Sequence, residues 1–157
     1  MNLATKRGIK VFSSVKIRHE EINSSSPLCK GIGLELSHSQ LVGQLLEDLI
    51  GDSAQEYVYA CYLDCHLEMI GIAQIALGSS TEALVSNKAV FQHALLCNAE
   101  NVIIGHNHPT GNLNFSNNDV RTFHRLEKAG ELLGIKVLDF LAVSDNNYRS
   151  MQECQHA

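Results

Sequence analysis

Two hydrophobic periods alternate along this chain from Ser37 onward, and that alternation narrows its fold more than any other feature. In SHSQLVGQLLEDLIG, Leu41, Val42, Leu45, Leu46, Leu49 and Ile50 recur at helical spacing, with Ser37 or Ser39 able to cap the start and Gly51 to end it. YVYACYLD and MIGIAQIAL are β-rich runs separated only by Cys65, His66, Leu67 and Glu68, which predicts an antiparallel hairpin. SNKAVFQHALLCNAE predicts a second amphipathic helix, with Val90, Phe91, Ala94, Leu95 and Leu96 inward. NVIIGH is a short apolar strand, and the segment from Pro109 to Phe115 carries the proline and glycine of a loop. NNDVRTFHRLEKAGELLG predicts a third helix ended by Gly134, and IKVLDFLAVS and YRSM predict two final strands. Interleaved strands and helices predict an α/β or α+β domain, a sheet with helices packed on it.

The stretch before Ser37 is organised differently. VFSSVKI has strand alternation, but EINSSSPLCKGIG is punctuated by serine, proline and glycine, so residues 1–36 read as an N-terminal extension or linker to a domain over 37–157. At 157 residues the chain can bury a real core without a disulfide or a structural metal. Its cysteines (Cys29, Cys61, Cys65, Cys97, Cys154) are odd in number and form no CxxC, which predicts idle thiols in a reducing compartment. There is no signal-peptide pattern and no apolar run of membrane-spanning length, so a cytoplasmic protein without a membrane partner is expected. A net charge of −5 argues against indiscriminate binding to DNA, although Lys6, Arg7, Lys10, Lys16 and Arg18 cluster near the start.

The chemistry concentrates in HNHPTGNLNFSNND. On a strand, residues i and i+2 share a face, so His106 and His108 emerge together at the end of NVIIGH, and neutral imidazole is a common zinc ligand. The letters HNH carry little weight for a nuclease, whose named residues spread over a longer ββα unit. Ser116-x-x-Asp119 resembles a capping box at the start of the third helix, a role that by itself outweighs metal binding for Asp119. The roles are compatible, and a capped helix start is a rigid mount for a ligand. Two histidines and one carboxylate leave a fourth position for water, the pattern of catalytic rather than structural zinc. Such a site also needs a base, for which Glu56, Glu68, Glu82 and Glu100 compete on spacing alone. The remaining histidines (His19, His38, His66, His93, His124, His156) show no ligand spacing, and Asp139 and Asp145 read as structural or loop residues.

HNHPTGNLNFSNND resembles the H-x-H-P…S-x-x-D motif of the JAB/MPN (JAMM) metalloprotease superfamily. EYVYACYLD, GSS, NKAVFQHALLCNAENVIIGHNHPTG, LLGIKVLDFLAV and YRSM follow the order and spacing of the RadC-like JAB domain over roughly residues 40 to 152. The resemblance implies a mixed central sheet flanked by helices, a JAB/MPN-like (cytidine deaminase-like) architecture with the site at the edge of the sheet. It implies Zn2+ held by His106, His108 and Asp119, Glu56 as general base and Ser116 as oxyanion stabiliser. The sequence departs from the family's usual pattern at Ser86-Asn87-Lys88-Ala89, where His-Pro-Arg-Glu is usual, and at Asp139-Phe140, where Asp-His is usual. Full-length RadC proteins carry a helical helix-hairpin-helix-like region before this domain, so the chain resembles the short, domain-only forms found on prophages and other mobile elements.

The function expected is therefore zinc-dependent hydrolysis of a peptide or isopeptide bond in a peptide or protein substrate by metal-activated water. The alternative is a non-catalytic, metal-containing binding module serving DNA transactions or mobile elements. A metal-dependent nuclease, the third reading, draws only on the family's historical DNA-repair label.

Overall fold

A computed structural model of the protein describes residues 39–78 and 85–155. The expected extension over 1–36 lies outside those residues, as do Ser37, His38, Glu82, His156 and Cys29. Helix α1 (Ser39–Ile50) is followed by strands β1 (Glu56–Leu63) and β2 (Met69–Gly78), helix α2 (Asn87–Leu96) and strand β3 (Asn101–Asn107). Helix α3 (Asn117–Leu133), strands β4 (Lys136–Ser144) and β5 (Asn147–Ser150) and helix α4 (Met151–Gln155) complete it. The sheet is five-stranded and mixed, in the order β2-β1-β3-β4-β5, with β3 antiparallel to β1 and parallel to β4. The expected α/β architecture and the β1–β2 hairpin are both present.

Strand parity divides the core into two layers. Val58, Ala60 and Tyr62 of β1 and Val102 and Ile104 of β3 pack against Val90, Phe91 and Ala94 of α2 and Phe123 and Leu126 of α3. The intervening Cys61, Leu63 and Ile103 face Val42, Leu45, Leu46 and Ile50 of α1 on the other side. Gly105 belongs to that second face. A Cβ there would collide with Leu46 Cδ1, so a larger residue would force that buried side chain to shift. Helix α3 ends as its sequence predicts, with Gly134 in the left-handed conformation at φ 69°.

Two expectations fail locally. The helical pattern predicts Leu95 and Leu96 inward, yet they are 58% and 41% exposed. At about 100° per residue, Val90, Ala94 and Phe91 already span the buried arc, and Leu95 and Leu96 turn progressively past it. The run YRSM predicts Met151 at the end of a strand, but Met151 begins α4, because β5 stops at Ser150. The Ser150 hydroxyl then accepts from Glu153 N at 3.1 Å in the manner of a helix cap.

Asp139 binds these elements together. It is 1% exposed, and its Oδ2 accepts hydrogen bonds from the hydroxyls of Ser39 on α1 and Ser150 on β5, the latter at 2.6 Å. Its Oδ1 accepts from the backbone N–H groups of Phe140 at 2.7 Å and Gln152 at 3.1 Å. A carboxylate this deep is tolerated because both oxygens are fully engaged. Asp139→Ala should cost about 3–5 kcal/mol, since it strands the buried Ser150 hydroxyl and Phe140 N–H and unties the part-buried Ser39 and Gln152 donors. For a chain of this length that is a fall of roughly 6–20 °C in melting temperature. Calorimetry of the metal-free protein measures it, and an unchanged transition would contradict the role.

Candidate metal centre

Strand parity also aims the candidate ligands. His106 pairs across the sheet with Val58, so its imidazole points to the α2/α3 layer, where the N-terminus of α3 arrives. His108 lies just past the end of β3, its backbone N–H donating to Val143 O at 3.2 Å. Its Nδ1 meets the carbonyl oxygen of Asn112, which leaves Nε2 to face His106. Asp119 comes from the first turn of α3, whose start is set by a capping box with Ser116. The three side chains converge: one donor atom from each of His106, His108 and Asp119 lies within 4.8 Å of the others, and the group could hold a metal ion.

The separations suit a cation. His106 Nε2 stands 2.6 Å from His108 Nε2 and 3.6 Å from Asp119 Oδ1, and His108 Nε2 stands 3.9 Å from Asp119 Oδ2. Ligands about 2.1 Å from a tetrahedral centre sit roughly 3.4 Å from one another, close to the His106–Asp119 separation, whereas the two imidazole nitrogens lie nearer together. Two imidazole nitrogens at 2.6 Å also repel unless a proton or a cation sits between them. Burial pushes His106 down to about 4, against the pull of Asp119 and the Leu141 backbone, while His108 adds to the decrease. The ring is thus neutral at ordinary pH, the form that binds metals. Its Nδ1 is buried and has only the Leu141 backbone to turn to. Phe140, one of the positions where the sequence departs from the usual family residue, packs its ring 5.1 Å from that of His106 and can offer no hydrogen bond.

Asp119 divides two roles between its oxygens. Oδ2 accepts from the backbone N–H and the hydroxyl of Ser116, both at 2.7 Å, while Oδ1 is the atom nearer His106. The Ser116 hydroxyl in turn accepts from Asp119 N at 3.1 Å. Ser116 therefore stands beside the cluster with its proton engaged by Asp119.

Glu56 begins β1, two residues before Val58, and so shares the sheet face of His106. Glu56 lines a small cavity with Val85, His106, Asp119, Thr122 and Phe140. Burial raises its pKa, His108 opposes the rise and Asp119 adds to it, so the carboxylate feels the cluster electrostatically. Its described competitors lie elsewhere: Glu68 is in the hairpin turn and Glu100 precedes β3, both at the opposite end of these strands. His66 and His124 are on the surface, the latter 3.0 Å from Glu127, and His93 bonds the Ala89 carbonyl of its own helix. Cys61, Cys65, Cys97 and Cys154 are free thiols.

One residue escaped the sequence reading. Asn107, between the two histidines, points to the opposite face and is fully buried. Its Oδ1 accepts from Tyr57 N at 2.7 Å, and its Nδ2 donates to Ser53 O at 3.2 Å and Gln55 O at 2.8 Å. It thereby fixes the backbone on either side of Glu56. A polar residue inside an apolar strand was the available signal, since a buried amide must find partners.

A family model described as a RadC-like JAB domain matches residues 36–156. A UPF0758 protein of Latilactobacillus sakei is 34% identical over 118 residues, covering 75% of this chain and 53% of its own. One from Alkaliphilus metalliredigens is 37% identical over 112 residues, covering 71% and 48%. One from Enterococcus faecalis is 26% identical over 153 residues, covering 98% and 60%. The chain thus spans about half the length of the first two and somewhat more of the third. Among the described residues, no helix is long and apolar enough to cross a membrane.

Proposed function

Because this chain belongs to the RadC-like JAB domain family, we propose that it is a zinc-dependent hydrolase of peptide or isopeptide bonds. The observation that carries this reading is the convergence of His106, His108 and Asp119 beside a half-buried carboxylate, Glu56. Two imidazoles and one carboxylate are a donor set suited to zinc with a coordination position to spare. Zinc held by His106, His108 and Asp119 would supply Lewis-acid polarisation and lower the pKa of water to about 7.

The chain's own residues account for the rest. Glu56 is held at the rim of the cluster by β1 and Asn107, and its raised pKa moves it toward the range in which a carboxylate accepts and returns protons efficiently. It would take a proton from the attacking water and deliver it to the leaving nitrogen. The Ser116 hydroxyl, close to Asp119 at the mouth of α3, would turn to donate to the oxyanion that develops on the scissile carbonyl. His106, neutral and buried against Phe140, keeps its Nε2 directed at His108 and Asp119.

Metal removal tests the reading. Protein purified without chelator should cleave a member of a peptide and isopeptide panel, lose that activity on chelation and regain it with added zinc. Cleavage that survives exhaustive chelation would contradict the proposal.

A further inference from the structure

His106 and His108 are held very differently. His106 lies within β3 with its side chain 2% exposed, whereas His108 lies past the strand end at 19%. What orients the His108 ring is the carbonyl of Asn112, reached through Nδ1. That carbonyl belongs to a loop containing Gly111 at φ 73°, so its direction depends on how the loop is tied down. Asn112 Oδ1 accepts from Asn114 N at 2.9 Å, and Asn114 Oδ1 accepts from Arg149 Nη1 at 2.5 Å. Arg149 is itself anchored on β5, where it pairs with Ala142, which pairs in turn with His106. Its Nε donates to Cys154 Sγ on α4 at 3.1 Å. The hydrogen bonds therefore form a continuous run from β5 through the loop to the outer imidazole of the cluster.

We propose that Arg149 is a positioning residue that orients His108 through Asn114 and Asn112, and so sets how tightly this site holds its metal. The proposal rests on the reading of His106, His108 and Asp119 as metal ligands. An imidazole that coordinates through Nε2 needs its Nδ1–H directed at an acceptor, and the groups that hold that acceptor tune affinity about 10- to 100-fold. A guanidinium suits this role because its planar fork satisfies Asn114 and Cys154 together, fixing the loop from a paired strand rather than from another loop residue.

The test compares zinc affinity, by chelator competition, for the full chain and for Arg149→Ala and Asn114→Ala. Each variant should bind zinc about tenfold more weakly, and the double variant should lose little more than either alone, because both break one relay. Thermal unfolding of the metal-free proteins separates this from a purely structural role. Positioning predicts little change there, while a fold contact predicts a lowered transition with affinity retained. Asn114→Ala leaves β5 untouched and keeps the test open if Arg149→Ala folds poorly. Affinity within about twofold of wild type in Asn114→Ala and in any folded Arg149→Ala would overturn the proposal. A wild type that binds no zinc would overturn the underlying metal reading, a result distinguishable from the first.

Discussion

Exchanging Glu56 for glutamine should lower hydrolysis about 100- to 10,000-fold while zinc content stays at the wild-type level. The exchange keeps size and shape, so Asn107 still holds the neighbouring backbone and the small cavity beside His106 keeps its lining. What disappears is a group able to accept a proton. Glu56 is apt for this work because burial and Asp119 raise its pKa, while His108 keeps the rise in check. Measuring turnover and zinc content on the same preparations separates a lost base from a lost metal. Equal turnover in wild type and Glu56→Gln, with both loaded, would remove Glu56 as the base, and background rates in both would leave the non-catalytic binding module in place of the hydrolase.

The second large effect is expected at Asp119. Wild type should carry about one zinc per chain and Asp119→Ala close to none, since a site of two imidazoles has lost its anionic ligand. Asp119 is also part of a helix cap, and losing that function should cost only about 1 kcal/mol. Asp119→Asn separates the two roles. Its side-chain oxygen can still accept from Ser116 N, as Oδ2 does now, but the amide is neutral and a poor metal ligand. Elemental analysis should therefore find both variants depleted, and unfolding of the metal-free proteins should find only Asp119→Ala destabilised. Full zinc content in Asp119→Asn would show that this carboxylate is not a ligand.

Much of the site is legible in the sequence, for reasons that differ by residue. His106 and His108 can be paired because β-strand parity is local: two residues on one strand share a face whatever the rest of the chain does. The capping role of Asp119 is legible because Ser-x-x-Asp acts within a single turn. Glu56 is not separable from Glu68, Glu82 and Glu100 by spacing, and only resemblance to a family singles it out. Pairing Val58 with His106 settles the geometry for Glu56, since that register carries Glu56 to the cluster and leaves Glu68 and Glu100 at the other end. Leu95 and Leu96 mislead because apolar character is not burial, and the width of the buried arc on α2 depends on what the sheet and α3 leave to be covered.

Local sequence sets the alternation of strands and helices, the places where glycine stops α3 and a loop follows β3, and the residue types available for binding a metal. These follow from periodicity, turn chemistry and side-chain identity, all of which act over a few neighbouring residues. Tertiary structure alone decided that β3 lies between β1 and β4, which brings Glu56 from one neighbour and the α3 start beside His106. It also decided that Asp139 should gather α1, β5 and α4, and that Arg149 should reach the loop behind His108. Such contacts join residues far apart in the chain, and no local preference encodes them. They form when both faces of the sheet must be covered at once and every buried polar group must find its partner.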